Sequence, residues 1–192
     1  MKKLLSALLI ITFFNSCSDK KKAAIQNSYF DLSTFMNNDI EKLHASHASV
    51  LKSASVNGER EENRFINIDW KREFDSFFSA DIHNNSFNEK YIVDTVVNST
   101  DSSQTTIIRY VAKDEDLKTR VLEIQFDSNK NIELIKAELF SKNFISNLSE
   151  SLIYSPLKYY SITNHEESRW FGSDDFIIEG RIENKSSETH TQ

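Results

Sequence analysis

Cysteine, glycine and proline are nearly missing from this chain of 192 residues, which holds one, three and one of them. A single cysteine excludes an internal disulfide, so the fold has to be held by packing. Three glycines cannot build a glycine-rich phosphate loop. An excess of positive charge is missing too: 23 Lys and Arg stand against 29 Asp and Glu, for a net charge of −6. Without a basic stripe the chain lacks the electrostatic footprint of a nucleic-acid-binding protein. The apolar run 4–14 is shorter than the roughly 20 residues that a membrane-spanning helix needs.

What is present at the start follows from that short run. Lys2 and Lys3 precede it and the small residue Ser16 follows, directly before the lone Cys17. A positive segment, a short apolar segment and a small residue form a cleaved secretory signal over 1–16. A secreted chain with one unpaired thiol is unusual; lipidation of that thiol removes the difficulty. Phe14-Asn15-Ser16-Cys17 resembles the lipobox of bacterial lipoproteins, with Phe14 and Asn15 departing from the usual Leu and small residue. Followed by Ser18-Asp19-Lys20-Lys21-Lys22, it is similar to lipoproteins of Bacteroidota-type bacteria. The resemblance implies a thioether-linked diacylglycerol on Cys17 and a further N-acyl chain of the palmitate kind. Several acyl chains make a firm anchor where one binds only marginally. Related lipoproteins sent to the cell surface carry an acidic cluster after the cysteine; with lysines there instead, the resemblance implies the outer membrane and favours its periplasmic face over the cell surface.

Removing 16 of the 192 residues leaves 176, with 21 basic and 29 acidic side chains and a net charge of −8. That is one domain of ordinary size. Residues 17–27 read as the lipidated cysteine and a polar tether, 28–184 as a single α+β domain, and 185–192 as a disordered polar tail.

Within the domain, Ser28 reads as a helix cap with Asp31 three residues on. Leu32, Phe35, Met36, Ile40 and Leu43 recur at helical spacing. A first helix is expected over about 29–45. Asn57-Gly58 between 50–56 and 64–68 is a hairpin turn, since both residue types tolerate positive φ. Asp69 caps a second helix over about 70–82, in which Trp70, Phe74, Phe77, Phe78 and Ile82 form one broad aromatic face. From Tyr91 the period changes to two. Strands are expected over 91–98, 105–112, 120–126, 132–140, 144–154, 157–163 and 176–183. Short links between them imply an antiparallel meander of six or seven strands, curled into a half-barrel or closed into a barrel.

Tyr29-Phe30-Asp31-Leu32, Val56-Asn57-Gly58 and Asn67-Ile68-Asp69-Trp70 together resemble a family of uncharacterised Bacteroidota-type lipoproteins. These motifs are structural. The resemblance brings no activity and no catalytic residues.

Candidate chemistry is sparse. His44 and His47 lie three apart near the end of the first helix and are the weak candidates for a metal pair, with His83 or a carboxylate as third ligand. Against this, histidines suit a helix C-terminus electrostatically, and neither metal nor cofactor is expected. His165-Glu166-Glu167 lacks the second histidine of a zinc-protease motif and reads as a charged loop. Asp174 and Asp175 read as turn residues before a strand. Glu150 falls in register with Leu148, Leu152 and Tyr154; facing inward, it needs a partner. The pattern favours a register slip at a bulge, or an edge strand, instead.

The leading expectation is a non-enzymatic, lipid-anchored envelope protein. It binds a protein partner or serves envelope assembly, and touches the membrane through Cys17. The alternative is a carrier of lipid or another hydrophobic ligand, in a pocket lined by Trp70, Phe74, Phe77, Phe78 and Ile82. The third is a hydrolase or metal enzyme using His44, His47 or Glu150.

Overall fold

A computed structural model describes residues 29–99 and 104–184. The expected signal, the lipidation site Cys17, the tether, Ser28 and the tail 185–192 lie outside the described residues.

The chain begins with helix α1, Leu32–Ala45. Its cap is Asp31 rather than Ser28: the Asp31 carboxylate accepts from the Thr34 amide at 2.8 Å. Such a cap satisfies one of the helix's unpaired N–H groups. Leu32, Met36, Ile40 and Leu43 form its buried stripe. The expected second helix is broken in two. Asp69 does cap its start, but α2, Trp70–Glu73, ends at Phe74, and α3, Asp75–Ser79, begins at once. Phe74 leaves helical geometry, with φ −101° and ψ 18°. The break lets Trp70, Phe74 and Phe77 all turn into the core, where each is buried.

The strands are β1 Ser49–Val56, β2 Glu59–Phe65, β3 Tyr91–Ser99, β4 Gln104–Ala112, β5 Thr119–Phe126, β6 Ile132–Lys142, β7 Ser146–Ser155, β8 Tyr159–Ser168 and β9 Gly172–Glu183. All seven expected meander strands are present. They join the hairpin in one nine-stranded sheet, ordered β2-β1-β9-β8-β7-β6-β5-β4-β3, because β1 pairs antiparallel with β9. The sheet is open. β2 and β3 are its two edges, which overturns the closed-barrel alternative. At the β1–β2 turn Asn57 and Gly58 have φ of 49° and 92°, as a tight hairpin requires.

Cross-strand partners share a face, and the register defines the core layer. One row runs Lys52, Gly180, Tyr160, Tyr154, Ile135, Ile124 and Ile108 across successive strands. The helices lie on this face: Phe74 meets Tyr154 and Tyr160 with ring centroids 5.3 and 5.4 Å apart. The other face carries polar ladders, among them Arg60–Glu179 at 3.1 Å and Arg109–Glu123 at 3.0 Å. The edges differ. β2 is exposed throughout and mostly charged, ending on the exposed Phe65, whereas β3 exposes Ile92, Val93, Val96 and Val97.

Three local expectations are corrected. His165, Glu166 and Glu167 are strand residues of β8, not a loop. Asp174 and Asp175 belong to β9, where Asp175 pairs across to His165. Phe144 and Ile145 lie in the turn before β7 rather than in the strand.

Candidate functional site

The expected ligand-lining residues fill the core instead of surrounding a cavity. Trp70, Phe74, Phe77 and Ile82 are fully buried, and Phe78 packs partly buried against them. Phe74 alone touches four rings: Trp70, Phe77, Tyr154 and Tyr160. The last three are edge-on, and such contacts add stability beyond area burial. One space open to a ligand lies beside this cluster.

That space is a groove of about 560 Å³ between α2 and the sheet. Its floor is Val50, Ile162 and Ile178, and its outer wall is the 65–68 link from β2 to α2. These floor residues project from β1, β8 and β9, so the groove exists only because the N-terminal hairpin docks on the last strand. The volume falls within the usual range for small-molecule sites.

A polar cluster closes one side. Glu73 accepts from Lys52 Nζ at 2.7 Å and from the Tyr160 hydroxyl. Burial pushes the Tyr160 hydroxyl well above its ordinary value, and the hydrogen bond to Glu73 pushes it further. It is therefore a fixed donor rather than a proton relay near neutral pH. Arg72 also lines the groove and makes no ion pair among the described residues. Asp69 and Asp75 balance it, so the wall carries both signs.

Glu150 points inward after all. β7 is a central strand with unbroken register to β8, so neither a bulge nor an edge applies. Its carboxylate is buried and accepts from Ser76 Oγ at 2.6 Å. With its amide nitrogen turned toward Glu150, Asn164 donates at 3.2 Å. Ser76 and Asn164 both line the groove, so Glu150 sits just behind its surface. No histidine hydrogen-bonds to Ser76 among the described residues, so the pair lacks the base that activates a serine nucleophile.

His44 and His47 are exposed at the C-terminal end of α1, beside a smaller hollow of about 330 Å³. His83 does not join them. Its ring pairs with Asp31 at the helix N-terminus, at 3.3 Å. A rise of about 1.5 Å per residue puts that nearly 20 Å from His44. No group of three His, Cys, Asp or Glu side chains able to hold a metal occurs among the described residues.

Two features escaped sequence reading. Asp39 is buried on the apolar stripe of α1, held by the Tyr154 hydroxyl at 3.0 Å and by Lys42 at 2.8 Å. Its signal was a carboxylate placed between Met36 and Ile40. The His165–Asp175 pair, 2.7 Å apart on the outer face, left none, because a cross-strand partner ten residues away has no local pattern.

No helix among the described residues is long and apolar enough to cross a membrane. Comparison with protein-family models, with curated proteins and with solved structures finds no match to this chain.

Proposed function

We propose that this chain is an outer-membrane lipoprotein of the periplasmic face, held by acyl chains on Cys17, whose domain binds a ligand rather than transforming it. The observation that carries the binding role is the groove over Val50, Ile162 and Ile178, with Lys52, Arg72 and Glu73 along one wall. An apolar floor with a few fixed polar groups at one side is the usual build of a small-molecule site. The apolar floor suits a chain or ring system. The wall, which carries both signs, suits a zwitterionic or neutral polar end. The groove thus supports the carrier reading at a place beside the aromatic cluster, not within it. The anchor would keep such a carrier at the membrane where amphipathic molecules are found.

The test is native mass spectrometry of the chain from Ser18 onward, secreted into a bacterial periplasm and purified gently. The expected result is a bound mass that leaves on denaturation and is lost in Ile178→Asp. A clean apo mass, together with no competition between added lysophospholipid and a fluorescent fatty-acid probe, would overturn the carrier reading. Turnover of a substrate abolished by Glu73→Gln in a folded protein would overturn the non-enzymatic one.

A further inference from the structure

At one end of the sheet two hairpin turns meet and push large apolar side chains into water. The β6–β7 turn presents Phe144 and Ile145, 75% and 55% exposed, and the β8–β9 turn presents Trp170 and Phe171, 60% and 87% exposed. The turns are bound to each other. The Arg169 amide donates to the Ile145 carbonyl at 2.9 Å, and the Phe144 and Trp170 rings lie edge-on with centroids 6.0 Å apart. The Arg169 guanidinium sits 5.3 Å from the Phe144 ring centroid. The first turn is preformed: Asn143 Oδ1 accepts from the amides of Ile145 and Ser146, both at 2.8 Å. Single exposed apolar residues are ordinary, but a contiguous group of four at a projecting tip needs a cover.

We propose that this tip inserts into the interfacial layer of a lipid bilayer. Three observations select lipid. First, the chemistry is that of an interface: Trp and Phe, with Lys142 and Arg169 at the base of the turns where they can meet headgroup phosphates. Second, the tip protrudes. β6 runs on to Lys142, past Phe140, whose amide meets the Lys118 carbonyl just before β5, and on the other side the β1–β2 turn reaches β9 only at Asp174 and Asp175, so neither neighbour covers the two turns. Glu166, Glu167 and Asp174 follow one or two pairs behind the β8–β9 turn, which limits insertion to the turns themselves. Third, the chain that leads to Cys17 arrives at the same end. Tyr29 hydrogen-bonds the backbone of Tyr91 at 3.1 Å, and the register carries Tyr91 through Ala112 and Thr119 to the Lys142 end of β6. Crossing from β3 to β7 spans about 20 Å at 4.8 Å per strand. The segment from Cys17 to Tyr29 reaches about 40 Å when extended. Acyl chains on Cys17 and the tip can therefore touch one bilayer together, and two weak attachments in one molecule reinforce each other.

The experiment uses the chain from Ser18 onward, which keeps all of the described fold and lacks the lipidation site. The outcome is therefore independent of whether Cys17 is acylated. Vesicles of equal parts phosphatidylethanolamine and phosphatidylglycerol are added, and sedimentation and tryptophan emission are followed. Trp70 is buried and Trp170 exposed, so a shift reports the tip. The expected result is co-sedimentation with a blue shift. Trp170→Phe should lose the shift and keep the sedimentation. Phe144→Ser with Phe171→Ser should lower the partition coefficient at least about tenfold with unchanged thermal stability. No sedimentation of the unaltered chain, or sedimentation equally strong in the serine variant, would overturn the proposal. So would self-association that the serine substitutions abolish without any vesicle binding, since the tip would then be a protein contact.

Discussion

Tyr160 occupies the space that a side chain at position 180 would need. A Cβ placed on Gly180 would overlap the Cε1 and Cζ atoms of the Tyr160 ring, which crosses from β8 over β9 to reach Glu73. Gly180→Ala should therefore destabilise the domain by about 1–3 kcal/mol, the usual cost of overpacking, despite alanine's lower backbone entropy cost. Urea unfolding measures it. Tyr160→Phe in the same background should recover little, because the ring remains. An unchanged midpoint for Gly180→Ala would show that the ring is free to move aside.

The Ser76–Glu150 pair ties α3 to the centre of the sheet. Ser76→Ala removes a donor from a buried carboxylate and should cost about 1–3 kcal/mol. The same change made on top of Glu150→Gln should cost less, since an amide is cheaper to leave short of a partner than a charge. A double-mutant cycle by thermal or urea unfolding reads the difference. Additive costs would mean that the two side chains do not interact in solution.

In the groove, Ile178→Asp sets a carboxylate at a half-buried position packed against the core and should cost about 1–3 kcal/mol while leaving the domain folded. Retention of an apolar probe should fall at least about tenfold. Equilibrium titration of the purified domain with a fluorescent fatty acid distinguishes loss of binding from loss of folding, when run beside circular dichroism.

Alkaline pH should unfold the domain through its buried tyrosines. Burial raises the Tyr154 and Tyr160 hydroxyls above the ordinary value of 10.0, with Asp39 and Glu73 adding to it, and burial lifts Tyr91 to about 12. A raised folded value means that this stability is fully present below pH 10 and is lost as pH rises through the folded values. Phenolate absorbance from these residues should appear together with loss of circular dichroism. Absorbance that rises fully in the folded state would contradict it.

His165 carries a second, separate pH dependence. Its hydrogen bond to Asp175 raises it above the ordinary 6.5, while burial opposes the shift slightly. The pair's contribution is present below about pH 6.5 and fades as pH rises through the folded value. Nuclear magnetic resonance titration should show a raised midpoint that returns toward 6.5 in Asp175→Asn.

Much of this fold was legible from local pattern, and the failures share a cause. The alternation in Leu122, Ile124 and Phe126 located β5, and Asn57-Gly58 located the first turn, because both signals lie within a few residues. Phe74 illustrates what such patterns miss. Its spacing from Trp70 marked a buried face, yet the helix breaks at Phe74, where the ring meets rings from β7 and β8 that no local window contains, and Ile82 lies past the end of α3. Phe144 looked like a strand residue because apolar residues rarely occupy exposed turns. The groove could not be foreseen at all. Its floor joins Val50 to Ile178, and only the pairing of β1 with β9 brings them together.

That pairing also sets an order in time. Ser49 meets Glu183, 134 residues away, so the first hairpin waits for the last strand before it gains a neighbour. A two-stranded hairpin alone is marginal in water, and pairing across so long a loop is slow. Because synthesis runs from the amino end, the β1–β2 hairpin has no sheet neighbour until β9 exists, and the groove forms only once the two have paired. A chain cut short anywhere before β9 would have no groove, however well its middle strands had formed.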